Sequence, residues 1–311
     1  MIKENLFIKF LRGYLFFLLI LILTLPGKGF SQGKEKNEAK NKKENSVAVE
    51  SFRPEHVAFN VPDPVMQVKW YVENLGMKVM REGTPPTYTF FIADSGKHMM
   101  MELFHNTDYP ELDFAKLDYN SLHLAFVVNN IKATEEKLLA AGAKVAQELF
   151  KTPTGDQVMV LHDPWGLPIQ FVERVNPMFK YTGVRLEHIE FNVPDTHAKA
   201  KWYVDNLGMK VVRDAGAPTF NMFISDPGKN MMVELNQNKD FPMIDFKTIS
   251  HQAIHLAFMV KDIDVVKKDL MKAGATFVVE ETTPAGDKVL MLRDPWGQPI
   301  QFIKRANPML K

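Results

Sequence analysis

The chain of 311 residues contains no cysteine. That excludes disulfides, thiolate metal sites, a cysteine nucleophile and a lipid anchor on cysteine. An excess of either charge is also missing, since 38 Lys and Arg face 37 Asp and Glu for a net charge of +1. Nothing in that balance points to nucleic acid or an acidic surface as partner. Long apolar runs are scarce too. Residues 14–25 form a run of 12 interrupted only by Thr24, well short of the ~20 that span a bilayer. Lys3, Lys9 and Arg12 precede it, and Gly29 and Ser31 follow. This pattern predicts a secretory signal over 1–32, cleaved near Ser31 or Gln32, and a mature chain that is periplasmic or secreted with no stable membrane anchor. Residues 33–53, rich in Lys, Glu and Asn, are expected to form a disordered tether. The chain as a whole is 46% hydrophobic and 24% charged, which is ordinary for a globular protein.

What the chain has in abundance is repetition. Four phrases are nearly the same: His56-Val-Ala-Phe-Asn-Val, His123-Leu-Ala-Phe-Val-Val, His188-Ile-Glu-Phe-Asn-Val and His255-Leu-Ala-Phe-Met-Val. Their histidines are separated by 67, 65 and 67 residues, and each phrase is followed by a glycine, Gly76, Gly142, Gly208 or Gly274. One supersecondary unit copied four times is the simplest source of that period. A closer copy lies above it. Residues 54–102 map onto 186–234 at a constant offset of 132, and Asp-Pro-Trp-Gly at 163–166 recurs at 294–297. The chain therefore reads as two homologous domains, 54–180 and 186–311, each holding two related modules.

Within a module the periodicity changes twice. Residues 55–61 alternate, with His56, Ala58 and Asn60 on one side and Val57, Phe59 and Val61 on the other, as in a strand with two distinct faces. Residues 65–74 carry apolar side chains at helical spacing, and Gly76 is the expected stop. Strand-like runs follow at 77–81, 88–93 and 98–104, separated by Gly/Pro and Asp/Gly turns. The order βαβββ recurs in the second module, giving an α+β fold. Polar residues stand out on the first and last strands: His56 and Glu102, His123 and Gln170, His188 and Glu234, His255 and Gln301. A glutamate within Met-Met-Met-Glu102-Leu-Phe is costly to bury unless something neutralises it.

Paired βαβββ units with these polar strands resemble the vicinal-oxygen-chelate superfamily. Glyoxalase I, extradiol ring-cleaving dioxygenases, fosfomycin-resistance enzymes and bleomycin-binding proteins belong to it. The phrases Trp-Tyr-x-x-Asn-Leu-Gly-Met-Lys, Met-Glu-Leu, His-Leu-Ala-Phe and Asp-Pro-x-Gly-x-x-Ile are similar to those of glyoxalase I. The resemblance implies cups built from two modules, each holding one divalent metal in four protein ligands. Taken domain by domain, these would be His56, Glu102, His123 and Gln170, then His188, Glu234, His255 and Gln301. Whether each cup closes within one domain or is shared between the two stays open at this point. Two imidazoles, a carboxylate and an amide oxygen suit zinc, nickel, iron or manganese.

The resemblance also implies function. It predicts a metal-dependent lyase or isomerase acting on a small substrate with adjacent oxygens, with Glu102 and Glu234 as catalytic carboxylates. An iron-dependent extradiol-type dioxygenase and a non-catalytic small-molecule binder are the alternatives. The chain departs from glyoxalase I at two places. Glutamine stands at the last ligand position of both domains, and an amide cannot act as general base. Asn60 and Asn192 replace the arginine that in glyoxalase I meets the glutathione carboxylate. The other histidines, His98, His105, His162, His197 and His251, are expected on the surface. Trp165 and Trp296 are candidate ligand contacts, and the loops 105–120 and 237–252 candidate lids. The two domains pair within one chain, which is compatible with a monomer.

Overall fold

The computed structural model describes residues 52–217 and 220–310. The expected signal sequence and nearly all of the expected tether lie outside the described residues. The first strand starts at Arg53, one residue before the predicted boundary, and Phe52 already packs edge-on against Phe302 at 5.8 Å. Among the described residues no helix is long and apolar enough to cross a membrane.

Four βαβββ modules are present, as the repeats predict. The first comprises β1 (Arg53–Asn60), α1 (Pro64–Leu75), β2 (Lys78–Glu82), β3 (Phe90–Ala93) and β4 (Met100–Phe104). The second comprises β5 (Leu122–Val127), α2 (Ile131–Ala140), β6 (Lys144–Lys151), β7 (Gln157–His162) and β8 (Pro168–Glu173). The third runs through β9 (Arg185–Asn192), α3 (Thr196–Leu207), β10 (Lys210–Asp214), β11 (Met222–Ser225) and β12 (Met232–Asn236). The fourth has β13 (Ile254–Met259), α4 (Ile263–Lys272), β14 (Thr276–Thr282), β15 (Lys288–Arg293) and β16 (Pro299–Lys304).

Local chemistry sets the ends of these elements. Each helix begins at an Asp or Asn whose side chain accepts a backbone N–H of the first turn, as Asp63 does from Met66 at 3.0 Å. Gly76, at φ 66°, closes α1 in the left-handed conformation that its sequence position predicts. Strand β3 starts two residues later than predicted because Tyr88 has φ 41°, which breaks the extended run.

The two modules of one sequence domain pack together through helices and core. Trp70 on α1 donates to the Ala141 carbonyl at 2.8 Å, and Trp202 on α3 does the same to Ala273. The Asp-Pro-Trp-Gly turns are part of this joint. Asp163 accepts from Gln67 at 2.8 Å and Tyr71 at 3.0 Å, while Asp294 pairs with buried Lys199 at 2.9 Å. Gly166 is required in its turn, since a Cβ there would lie 2.8 Å from the Ala115 nitrogen. Trp165 and Trp296 pack against the core.

The sheets close differently. One has the order β14-β15-β16-β13-β1-β4-β3-β2, joining the first module to the fourth. The other has the order β10-β11-β12-β9-β5-β8-β7-β6, joining the third to the second. Each module ends in its own first strand, and these exposed edges pair antiparallel, β1 with β13 and β5 with β9. Every eight-stranded sheet thus takes half of its strands from each sequence domain.

Candidate metal centres

The period-2 face that carries Val57 and Phe59 enters the main core with the helices. The opposite face carries the polar residues, and strand register arranges them in rungs. In the first sheet His56 pairs with Ala257, which pairs with Gln301. One rung along, Glu102 pairs with Ala58, which pairs with His255. In the second sheet the rungs are His188, Ala125, Gln170 and Glu234, Glu190, His123. The structure therefore regroups the candidates. His56, Glu102, His255 and Gln301 share one sheet face, and His188, Glu234, His123 and Gln170 share the other. Of the two arrangements left open by the sequence, the sheets take the one shared between the domains, because each sheet is completed across them. The four first strands are so alike in sequence that none signals which partner it takes.

The two clusters share their ligand trio and differ in detail. His56 Nε2 lies 2.9 Å from Glu102 Oε2, and His255 Nε2 lies 3.7 Å from that same oxygen. In the second cluster His188 Nε2 lies 3.0 Å from Glu234 Oε2. The paired imidazoles stand edge to face with centroids 5.7 Å apart in both. Their ligand atoms, His56–Glu102–His255 and His123–His188–Glu234, fall within 4.8 Å of one another. All four Nε2 atoms are buried, and none is aligned with a hydrogen-bond partner among the described residues; Gln301 Oε1 is likewise orphaned. Buried polar atoms rarely stay unpaired. Convergent imidazole nitrogens beside a carboxylate are a donor set that a divalent cation satisfies.

The other ring nitrogen explains the aim of three of the four imidazoles. His56 Nδ1 is 2.9 Å from Glu55 Oε2, and His188 Nδ1 is 3.1 Å from Glu187 Oε2. His123 Nδ1 is 2.8 Å from the Tyr119 carbonyl. A proton shared at Nδ1 leaves the Nε2 lone pair turned toward the cluster. The two glutamates are themselves braced. Arg305 reaches Glu55 with bonds of 2.8 and 2.6 Å, and Arg174 reaches Glu187 with bonds of 3.1 and 2.6 Å. Asp287 and Asp156 hold the far side of the two guanidiniums at 2.8 and 3.0 Å. Glu55, Glu187, Arg174 and Arg305 were missed in the sequence, although Glu-His recurs at 55–56 and 187–188. That dipeptide was the available signal.

Burial and these partners set the protonation tendencies. Burial raises the carboxyls of Glu55 and Glu187, yet bonds to the adjacent histidine and the arginine outweigh it and hold both at about 2. Glu102 is held low against burial by His56 and His255. Burial depresses His56, but Glu102 and Glu55 prevail and raise it. His123, buried beside His188, is lowered to about 4, so it is neutral near pH 7.

The remaining candidates sort as follows. Asn60 donates to the Asn106 and Tyr109 carbonyls at 3.0 Å each and accepts from the Asn106 N–H at 2.8 Å. Asn192 holds the loop after β12 in the same way, through Asn238 and Phe241. Both amides are therefore committed to loop anchoring. Of the other histidines only His197 is fully exposed; His98, His105, His162 and His251 are half-buried, and none joins a cluster.

The comparisons with known proteins agree with this fold. The model of the Glyoxalase/Bleomycin resistance protein/Dioxygenase superfamily matches twice, over residues 53–171 and 185–302. A lactoylglutathione lyase of Arabidopsis thaliana is 24% identical over 260 residues, covering 78% of this chain and 88% of that protein. A probable chloroplastic lactoylglutathione lyase of the same plant is 27% identical over 179 residues, and this match spans 56% of the chain but only 49% of the plant protein. Among solved structures, glyoxalase I from Zea mays superposes with a TM-score of 0.65 at 20% identity, covering 82% of this chain and 92% of that one. A putative dioxygenase from Bacillus subtilis gives 0.61 at 13% identity, covering 83% and 87%. With the family model matched across most of both repeats, the chain belongs to the glyoxalase/bleomycin resistance protein/dioxygenase superfamily.

Proposed function

We propose that the chain is an exported lyase or isomerase of the glyoxalase I type, with a divalent metal in each cup. The observation that supports it most strongly is the trio of two buried imidazoles and one carboxylate whose ligand atoms fall within 4.8 Å of one another, repeated in both sheets. His56, Glu102, His255 and Gln301 would hold one ion, and His123, His188, Glu234 and Gln170 the other. A bound divalent ion supplies Lewis-acid polarisation of a substrate carbonyl or enolate oxygen, and adjacent substrate oxygens suit such an ion.

The protein's own residues then divide the work. Glu55 and Glu187 orient the first histidine of each cup, and Arg305 and Arg174 keep those carboxylates charged. Glu102 and Glu234 are the carboxylates that meet the Nε2 atoms of His56 and His188 and carry the base or ligand role. Gln170 and Gln301 offer an amide oxygen but no basicity. A second reading rests on the composition of the first cluster. Two histidines and one glutamate are also the donors of an iron(II) facial triad, which favours oxygenase chemistry.

Elemental analysis after loading with zinc, nickel, manganese or iron tests the metal reading. Two ions per chain are expected, and none with any of the four metals would overturn it. Oxygen uptake with catechols in the iron-loaded protein separates the two chemistries. Export is tested by the mass of the protein isolated from its native host, where loss of about the first 31 residues is expected and an intact Met1 refutes it.

A further inference from the structure

The two cups are built on matching rungs, and they differ at the centre of one. Between Glu102 and His255 the first sheet places Ala58. Between Glu234 and His123 the second sheet places Glu190. The register pairs on either side are otherwise the same, so Glu190 shares the face of the ligand candidates. Its side chain is 7% exposed, and its Oε2 lies 3.6 Å from the unpartnered His123 Nε2. Donor atoms bound to one ion about 2.1 Å away sit roughly 3 to 3.5 Å from each other. Glu190 lies just beyond that spacing from His123 and flanks the trio His123, His188 and Glu234, whose ligand atoms fall within 4.8 Å of one another, so it would join them through a small side-chain shift.

The exchange is not isolated. Asn236 lies beside Glu190 in the second cup and favours its charged form, where the first cup has Phe104 at the matching place. Asn221 donates to Glu234 Oε1, where the first cup has Thr89. Three matched positions thus become more polar or gain a longer polar side chain together, all beside the same two carboxylates. Side by side and buried, two carboxyl groups repel unless a positive charge or a proton lies between them.

Resting on the metal reading above, we propose that Glu190 is an additional carboxylate donor of the second cup, so that the two cups of one chain bind divalent cations with different strength and coordination. The first cup offers two imidazoles, one carboxylate and one amide. The second offers a further carboxylate, a harder donor that favours oxygen-seeking ions relative to the first.

Cobalt(II) alone serves as the probe, because its visible absorption reports coordination. His56→Ala with His255→Ala leaves only the second cup, and His123→Ala with His188→Ala leaves only the first. In the second-cup protein, Glu190→Gln keeps the shape and removes the charge, while Glu190→Ala recreates the first cup's residue. Both are expected to weaken cobalt binding by at least about tenfold and to change its absorption spectrum toward that of the first-cup protein. Unchanged affinity and spectrum in Glu190→Gln, in protein whose circular dichroism is native, would overturn the inference while leaving the metal reading intact. Absence of cobalt binding in both single-cup proteins would overturn the metal reading itself and this inference with it.

Discussion

Arg174 is the clearest place to perturb. Its guanidinium is held by Glu187 at 2.6 and 3.1 Å and by Asp156 at 3.0 Å, with side-chain exposures of 8% for Arg174 and 2% for Glu187. Replacing Arg174 by Met removes the charge but retains apolar bulk. Glu187 would then be a buried carboxylate with His188 as its main partner, a situation that costs about 3–5 kcal/mol. Glu187→Gln leaves Arg174 bound to Asp156 and keeps an acceptor for His188, so about 1.5–3 kcal/mol is expected. The double variant has no uncompensated carboxylate at 187, and should fall short of the sum of the single costs by at least ~1 kcal/mol. Urea unfolding of metal-free protein, followed by circular dichroism, measures all four corners of this cycle. A separate readout comes from metal affinity in the protein that retains only the second cup, where Glu187→Gln should weaken binding about 10–100-fold by loosening the aim of His188. Additive stabilities together with unchanged metal affinity would refute the brace.

The regrouped cups predict a pattern of metal counts: His56→Ala with His255→Ala should leave one ion per chain, whereas His56→Ala with His123→Ala should abolish both. Acid stability follows from Glu55 and Glu187, whose carboxyls sit at about 2 in the folded chain against an ordinary 4.5. A depressed folded value stabilises above the unfolded one, so about 3 kcal/mol from each is present at neutral pH and is lost as the pH falls from 4.5 toward 2; Glu55→Gln with Glu187→Gln should flatten that part of the profile. Asn60→Ala removes three hydrogen bonds to the loop after β4 and should cost about 1–3 kcal/mol while speeding amide exchange around residues 106–109. In the glutathione hemithioacetal assay the unmutated protein should be weakly active, and Gln170→Glu or Gln301→Glu should raise the rate; strong activity before mutation would refute the assignment of the last-strand position.

The module was legible because two periods, 2 and 3.6, switch at turn residues, and because four copies repeated the switch. Strand ends were less legible where a single backbone angle decided them, as at Tyr88. All eight metal-candidate positions could be picked from polar residues at fixed places on apolar strands. Their grouping could not. Partner choice depends on which free edge meets which after the helices have packed, and the edges of β1, β5, β9 and β13 carry nearly the same residues. The bracing carboxylates were hidden for another reason: Glu55 and Glu187 reach the adjacent histidine across the strand, which alternation places on the opposite face.

Sharing sheets across the repeats has a consequence for how the two cups can differ. Each cup takes one rung end from each half of the chain, so a change in either half is always read against strands from the other. His123 and His255, Ala125 and Ala257, and Gln170 and Gln301 are the same in both cups. Divergence enters through the first strand of each domain and its neighbours, where Ala58, Thr89 and Phe104 face Glu190, Asn221 and Asn236. A buried carboxylate added on its own would cost several kcal/mol. Asn236 favours the charged form of Glu190 and Asn221 donates to its neighbour Glu234, which offsets part of that cost. Such a set of exchanges is hard to explain as packing, because a buried alanine occupies the same rung of the first cup. The second cup has acquired a buried carboxyl that burial and the neighbouring Glu234 push toward its neutral form, and a cation between Glu190, Glu234 and the two imidazoles is the partner that would take the place of that proton.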